Sequence, residues 1–186
     1  MKQNELSFKE AFLFPFNRLK GMLNILWILL PIIGWFLLIG YYVKIINQFL
    51  KGNFKKLPKL ESGDFKIGFF MFLKGIPFII FLMLIVGIFN YLFERNIAMI
   101  IVDLILLFTF PILSINFIKK QTVSSFFEFN LIKFVFFNFF DYIITIIKSI
   151  ILGILWIFLI LFLVGIPGLQ FTKNIFFADF YRRNVK

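Results

Sequence analysis

Asp103 is the one carboxylate that lies well inside a long apolar run of this sequence. On membrane-insertion scales a charged residue at such a position costs at least about 2.5–3.5 kcal/mol. We therefore expect this side chain to be neutral, to pair with a cation, or to belong to an ion or proton path. Because Asp103 is only the seventh residue of its run, a polar contact between helices near the membrane surface is the simpler interpretation.

Lys148 interrupts the start of the last apolar run. It either marks the point where a surface helix becomes a membrane span or supplies a functional cation. Asn24, Asn90 and Asn116 also lie within apolar runs. Hydrogen bonds between helices are the ordinary role of such amides, at about 0.6 kcal/mol each, whereas a substrate path would need several of them on one face.

The residue types needed for most catalysis are missing. The chain has no His and no Cys, which excludes His general bases, Cys nucleophiles, disulfides and haem held by His. Its 9 Asp and Glu residues are scattered singly, so no paired carboxylates for acid–base work are evident. We therefore expect no enzyme activity, no cofactor and no metal site.

The composition predicts an all-α integral membrane protein with a single membrane domain over residues 1–186. Hydrophobic residues make up 61% of the chain, against about 45–50% in soluble domains, and the mean hydropathy is +0.98. Four apolar runs of about 18–25 residues are long enough to cross a bilayer as helices. They cover residues 22–43, 76–93, 97–118 and 142–168.

The net charge of +11 comes from 20 Lys and Arg residues spread between the apolar runs. The chain has no basic domain, so we expect no nucleic-acid partner. Attraction to anionic lipid headgroups explains the charge more simply, at about 1 kcal/mol per residue near the membrane surface.

The positions of the basic residues favour three helical hairpins over four simple spans. Four spans place 11 basic residues on one side of the membrane and 9 on the other. If the chain instead reverses near Pro31 and near Gly165, only Arg95 of the 20 basic residues lies on the far side, as the positive-inside rule requires. Both termini and the 52–63 loop then face the cytoplasm. The three predicted hairpins cover about residues 16–51, 72–118 and 142–183.

Prolines and glycines interrupt the first and last apolar runs. Pro31 and Gly34 lie in the first, and Gly165, Pro167 and Gly168 lie in the last. Such residues allow a helix to stop and reverse. They are either plain hairpin turns or the broken helices of a transporter, whose half-helix ends line a binding site. The charge distribution favours turns.

A weak internal echo accompanies these breaks. The tetrapeptide Ile-Leu-Trp-Ile begins at residue 25 and again at residue 154, and each copy precedes a Pro/Gly break. It indicates either an internal repeat or a coincidence in a chain rich in Ile and Leu.

Three stretches mix Phe and Leu with charges, and we predict that they form amphipathic helices lying in the membrane interface. They cover residues 7–20, 64–74 and 125–141. The alternative is that they are the ends of the spanning helices. The soluble loop 52–63, GNFKKLPKLESG, is either a docking site for a partner or a solvated loop attracted to lipid headgroups.

The first 80 residues carry a series of short motifs. In chain order they are Phe14-Pro15-Phe16, Pro31 to Gly34, Gly40-Tyr41-Tyr42, Lys44, Gly52, Leu57-Pro58, Asp64-Phe65, Gly68 and Leu73-Lys74-Gly75. This series resembles the uncharacterised prokaryotic membrane family called domain of unknown function 4013. That family usually has an acidic residue and a Trp after the Leu-Pro, where this chain has Lys59 and Leu60. The resemblance implies a multi-span membrane protein and selects Gly40, Tyr41 and Pro58 as candidate functional positions, but it implies no activity.

Two functions remain open. The first is a non-catalytic membrane protein that organises, scaffolds or shapes the bilayer or holds a partner, with anionic lipids, a second copy or a membrane protein as its partner. The alternative is a small transporter, channel or transporter subunit. In that case Asp103 and the Pro/Gly breaks converge on a polar cavity.

Overall fold

The computed structural model describes residues 4–185, which form helices and connecting segments without any strand. The four longest helices are α3 (Ile33–Leu50), α4 (Gly63–Leu92), α5 (Arg95–Lys120) and α7 (Phe139–Leu159). The shorter α-helices are α1 (Phe8–Leu13), α2 (Leu19–Met22), α6 (Ile132–Phe137), α8 (Gly165–Thr172) and α9 (Ile175–Asn184). Short 3-10 stretches lie between them, at Pro15–Arg18, Leu23–Leu29, Val123–Phe127, Phe129–Leu131 and Ile160–Phe162. The predicted all-α class is confirmed over this range.

Four helical segments of the described range are long and apolar enough to cross a membrane. They are Ile33–Leu50, Gly63–Leu92, Arg95–Lys120 and Phe139–Phe162. Only 11% of the most apolar window of α4, and 22% of that of α5, is buried within the molecule. These helices therefore present apolar side chains outward on most sides, which is typical of a lipid-facing surface.

The prediction of a separate surface helix over 64–74 is wrong. These residues begin α4, a single helix of 30 residues that runs through to Leu92. Pro77 removes one backbone donor from the helix but does not end it. The stretch is therefore the end of a long helix, which is the alternative that the sequence left open.

The other two stretches predicted as amphipathic helices are not continuous helices. Over 7–20 the chain forms α1, a 3-10 turn that begins at Pro15, and the start of α2. Over 125–141 it forms 3-10 turns and α6, and then breaks at Asn138 before α7. Pro15 explains the first interruption because proline restricts the residue before it and cannot donate to the preceding turn.

The chain changes direction just before Gly34 and just before Gly165, close to the predicted breaks. Ile32 and Leu163 take positive φ angles of 67° and 61°. A Cβ added to Gly34 would lie 1.7 Å from the Trp27 carbonyl oxygen, and one added to Gly165 would lie 2.2 Å from that of Trp156. Glycine is therefore required for close packing just after each turn, while an apolar residue makes the turn itself.

These two turns refine the sequence prediction in one respect. The Gly-Ile-Pro-Gly segment, predicted as the third hairpin turn, lies inside α8, one residue beyond the turn. Both turns follow an Ile-Leu-Trp-Ile segment, and in both a glycine two residues after the positive-φ residue packs on the tryptophan carbonyl. The two turns thus share a contact between a glycine and a tryptophan carbonyl, although Gly34 lies seven residues after Trp27 and Gly165 lies nine residues after Trp156.

Helices α3 and α4 cross at two glycines in direct backbone contact. A Cβ on Gly40 would lie 1.8 Å from the carbonyl oxygen of Asp64, and a Cβ on Gly68 would lie 1.8 Å from that of Phe36. Gly40 thus faces the carbonyl of Asp64, which is four residues before Gly68. Gly68 likewise faces the carbonyl of Phe36, which is four residues before Gly40. Small residues at such a crossing let two helices approach closely, as in membrane helix pairs.

The buried core is built mainly from the second halves of α3 and α5 and from α9. In α5 every residue from Pro111 to Ile118 is buried, and in α9 every residue from Ile175 to Tyr181 is buried. Large exposed apolar residues lie near the turns and along the first half of α5, and others lie on α4, α6 and α7. The second halves of α3 and α5 and helix α9 therefore form the packed end of the molecule, whereas apolar surface covers much of the rest.

The α3–α4 crossing predicts opposite effects for two alanine substitutions in α4. Gly68→Ala forces its Cβ against the Phe36 carbonyl and should lower the free energy of unfolding by about 1–3 kcal/mol. Gly75→Ala is the control, since nothing lies within 4 Å of a Cβ there. It should raise stability by up to about 1 kcal/mol through helix propensity. Denaturant titration in detergent measures both, and equal effects would contradict the crossing.

Candidate functional site

Asp103 lies on an exposed part of α5. No hydrogen bond or ion pair joins its side chain to another of residues 4–185. It does not line the cavities described below. The structure therefore does not bring Asp103 together with the Pro/Gly breaks, where Gly34 and Gly165 pack on backbone carbonyls.

Lys148 has a structural partner. Its ammonium group lies 2.6 Å from a carboxylate oxygen of Glu5, which joins the chain's beginning to α7. Both side chains are partly exposed, at 27% and 50%, so the pair adds little stability. Among the described residues, Lys148 therefore pairs with Glu5.

The candidates Gly40, Tyr41 and Pro58 are neighbours in the structure. The buried Tyr41 hydroxyl donates to the Pro58 carbonyl over 3.1 Å, and Arg18 donates to the same oxygen over 2.8 Å. Two turns further along α3, Gln48 donates to the Lys56 carbonyl over 2.6 Å. The 52–63 loop is therefore fastened along α3 by hydrogen bonds to its backbone carbonyls.

Asp64 is a buried carboxylate that was not among the candidate residues predicted from the sequence. Its side chain is 2% exposed and lies 2.7 Å from the Lys44 ammonium group. It also accepts a hydrogen bond from the Glu61 backbone N–H over 2.8 Å. Lys44 donates in turn to the Lys59 carbonyl over 3.0 Å. This cluster fixes the end of the loop against both α3 and α4, next to the Gly40 contact.

A second charged cluster joins the two ends of the described chain. Asp179, which is 2% exposed, accepts hydrogen bonds from both Arg182 and Arg183 and from the Leu6 backbone. Arg183 also holds Asp141 in a two-point contact of 2.9 and 3.1 Å. Such planar pairs are the strong form of the Arg–carboxylate contact. The cluster ties α9 to the start of α7.

Polar side chains also satisfy backbone groups that the helices leave unpaired. Pro111 has no N–H to offer the Leu107 carbonyl, and the Tyr142 hydroxyl donates to that oxygen over 2.9 Å. Asn116, fully buried in α5, donates to the Ser125 carbonyl over 2.8 Å and accepts from the Tyr181 hydroxyl over 2.7 Å. The role predicted for Asn116, a hydrogen bond between helices, is confirmed.

One surface carboxyl outside the apolar helices has a shifted pKa. A hydrogen bond from the Lys120 ammonium group lowers the pKa of Glu128 against a smaller opposing effect of burial. The ion pair spans 2.6 Å and joins the end of α5 to the 3-10 turns that follow. Glu128 therefore stays charged under ordinary conditions.

Several cavities lie between the helices, including three that adjoin the long helices. An apolar crevice of about 240 Å³ separates α4 from α5. A polar cleft of about 410 Å³ is lined by Lys44, Asn47 and Lys51 of α3 and by Gln121. The third, of about 460 Å³, lies between α5, α7 and the α8–α9 segment; we call it the α7 cavity. Among residues 4–185 there is no group of three or more His, Cys, Asp or Glu side chains that could hold a metal ion.

No family model, curated protein or solved structure matches this chain. The resemblance to domain of unknown function 4013 therefore rests on the motifs of the first 80 residues and stays a prediction.

The Asp64 cluster predicts a difference between two lysine substitutions. Lys44→Met leaves the buried Asp64 carboxylate without its cation and should lower the free energy of unfolding by about 2–3 kcal/mol. Lys120→Met removes a partner from the more exposed Glu128 and should cost about 0–1 kcal/mol. Denaturant titration of both variants in detergent measures the difference. A loss in Lys44→Met no larger than that in Lys120→Met would contradict the role given to Asp64.

Proposed function

We propose that this chain is a non-catalytic integral membrane protein that organises or shapes the bilayer. In this proposal three helical hairpins, over residues 16–51, 72–118 and 142–183, enter the membrane from the cytoplasmic side. The 52–63 loop and both termini remain in the cytoplasm.

The observation that carries the proposal is that the ion pairs of the described residues lie away from the three hairpin tips, where large apolar side chains are exposed. Near the three tips, Leu29, Tyr91 and Leu161 are 73%, 90% and 86% exposed. The ion pairs lie away from these tips, at Lys44–Asp64, Lys148–Glu5, Lys120–Glu128 and Arg183–Asp141. This distribution is the one expected if the first and third tips lie in hydrocarbon, the second tip reaches the far membrane surface, and the ion pairs lie at the cytoplasmic surface.

The lengths of the helical arms support an asymmetric insertion. Helix α2 and the 3-10 stretch Leu23–Leu29 together rise about 20 Å, and α8, of 8 residues, rises about 12 Å. A hydrocarbon core is about 30 Å thick. The first and third hairpins are therefore too short to cross on both arms, whereas α4 and α5, of 30 and 26 residues, are long enough.

Shallow hairpins beside one full hairpin occupy more area in the leaflet they enter. The exposed lysines of the loop, Lys55, Lys56 and Lys59, would attract anionic headgroups to the same surface. Together these features favour a protein that expands and binds the cytoplasmic leaflet. A second copy or a membrane protein is the partner that would concentrate this effect.

Transport receives less support than membrane organisation. A transporter or channel would need Asp103 to face a polar path. The side chain instead faces outward from α5 without a partner among the described residues.

The topology is tested by single cysteines, since the chain has none of its own. We expect an impermeant thiol reagent added to intact cells to label Asn96→Cys, at the α4–α5 turn, and not Asn53→Cys, Gln121→Cys or Asn184→Cys. All four should label after the cells are permeabilised. Labelling at positions 53 and 121 but not at 96 would contradict the hairpins and favour four spans.

The shaping role is tested in liposomes that contain anionic lipid. We expect vesicle diameter, measured by electron microscopy, to fall as the ratio of protein to lipid rises. Gly34→Leu would push α3 away from the Trp27 carbonyl and should weaken the effect. Gly87→Leu should not, because nothing lies within 4 Å of a Cβ there. Vesicles of unchanged shape, together with no self-association by energy transfer between labelled copies, would contradict the proposal.

A further inference from the structure

The α7 cavity has two unlike walls. Its volume is about 460 Å³. Apolar side chains of α5 and α7 form one wall, including Leu107, Pro111 and Ile150. The other wall, at the break between α8 and α9, carries Gln170 and Lys173. A ligand that fits both walls has a hydrocarbon part and a polar, negatively charged part.

The polar wall lies at the short connection between helices α8 and α9. Helix α8 ends at Thr172, and Asn174 takes a positive φ of 64° before α9 begins. Lys173, between them, is exposed, and its ammonium group makes no ion pair or hydrogen bond with another of residues 4–185. Its ammonium group is therefore free to bind an anion beside an apolar surface.

Trp156 is held rigidly at the side of the cavity. Its side chain is fully buried and lines the cavity. The ring is held by Phe12, stacked at 5.0 Å between ring centroids, and by Gly168, whose added Cβ would lie 2.2 Å from it. The indole N–H is enclosed by the protein, so Trp156 offers a ligand a fixed ring surface and not a polar contact.

Gly153 supplies the space. It lines the cavity from the middle of α7, and nothing lies within 4 Å of a Cβ added there. Glycine at this position lowers helix propensity and is not required by any backbone contact. Because Gly153 has no side chain, the groove along the apolar wall is wider.

We propose that the α7 cavity binds an anionic phospholipid, with one acyl chain along α5 and α7 and the phosphate at Lys173. The proposal rests on insertion of α7 into the bilayer but not on the shaping role. The cavity lies beside the exposed isoleucines of α7, so a lipid could enter sideways from the membrane. A zwitterionic lipid would use the apolar wall but would gain less from the lysine. A second copy of the protein bound in the α7 cavity would instead keep lipid away from both walls.

Fluorescence quenching by brominated lipids tests this proposal. The full chain carries three tryptophans, and Trp27→Phe with Trp35→Phe leaves Trp156 as the only reporter. We expect phosphatidylglycerol with brominated chains, mixed into phosphatidylcholine vesicles, to quench Trp156 at a mole fraction at least fivefold lower than brominated phosphatidylcholine requires. In the same background Lys173→Gln should remove most of this difference.

Gly153→Leu fills the cavity and should abolish the selective quenching of Trp156. Gly87→Leu is the matched control, since it also replaces a helix glycine that faces open space. In this variant brominated lipid should quench Trp156 to the same extent as in the parent. Circular dichroism and a monodisperse elution profile establish that the variants fold. If Gly153→Leu fails to fold, the selective quenching of Trp156 is compared between Lys173→Gln and Lys20→Gln. Lys20 is an exposed lysine outside the cavity.

The remaining outcomes separate this site from insertion itself. Equal quenching of Trp156 by the two brominated lipids, or quenching unchanged by Gly153→Leu, would overturn the anionic-lipid site. In the unsubstituted chain Trp27 and Trp35, exposed at 37% and 54% near the first turn, report insertion. If brominated lipid quenches them while Trp156 alone stays unquenched, insertion holds and the site is overturned. If no tryptophan is quenched, the proposed insertion fails as well.

Discussion

A chain that reverses direction within an apolar layer must satisfy its backbone hydrogen bonds inside the protein, because hydrocarbon offers no partners. The first reversal meets this constraint with local bonds, from Gly34 N–H to the Leu30 carbonyl over 2.9 Å and from Ile33 N–H to that of Pro31 over 2.7 Å. The last does so from Leu163 N–H to the Ile160 carbonyl over 2.8 Å. Each turn remains compact because a glycine follows it and packs on a tryptophan carbonyl.

The packed end of the molecule lies away from these turns. There the Gly40–Gly68 crossing joins α3 to α4, and Asp179 with its arginines joins α9 to the backbone of Leu6. Near a membrane surface, charged and amide groups can form such contacts at a lower free-energy cost than in the hydrocarbon interior. One end of the protein therefore carries both the charge and the packing.

Local sequence features predicted much of the helical architecture. Apolar runs long enough to span, the breaks near Pro31 and Gly165 and the loop after α3 all depend on residues close together in the chain, and the structure has long helices, direction changes and a loop at those places. The continuity of α4 was missed because a mixed stretch beside a proline is typical of both a surface helix and a helix end.

The buried charges could not be predicted in the same way. Lys44 meets Asp64, and Arg183 meets Asp141, only after α3 packs on α4 and α9 packs on α7. In the sequence each is one charge among many at the edge of an apolar run. Asp103 shows the reverse case, since its apolar neighbours suggested a special site while its exposed position on α5 gives it no partner among the described residues. The α7 cavity likewise depends on residues from three helices that no spacing rule connects.

The claim on which this account depends most is that the first hairpin ends inside the bilayer. A spin label at Leu29→Cys in reconstituted vesicles tests it directly, through its relative accessibility to dissolved oxygen and to a water-soluble nickel chelate. The account predicts high accessibility to oxygen and little to nickel, as for a label within the hydrocarbon. Accessibility to nickel equal to that of a label in the 52–63 loop would contradict it, because residue 29 would then lie in water.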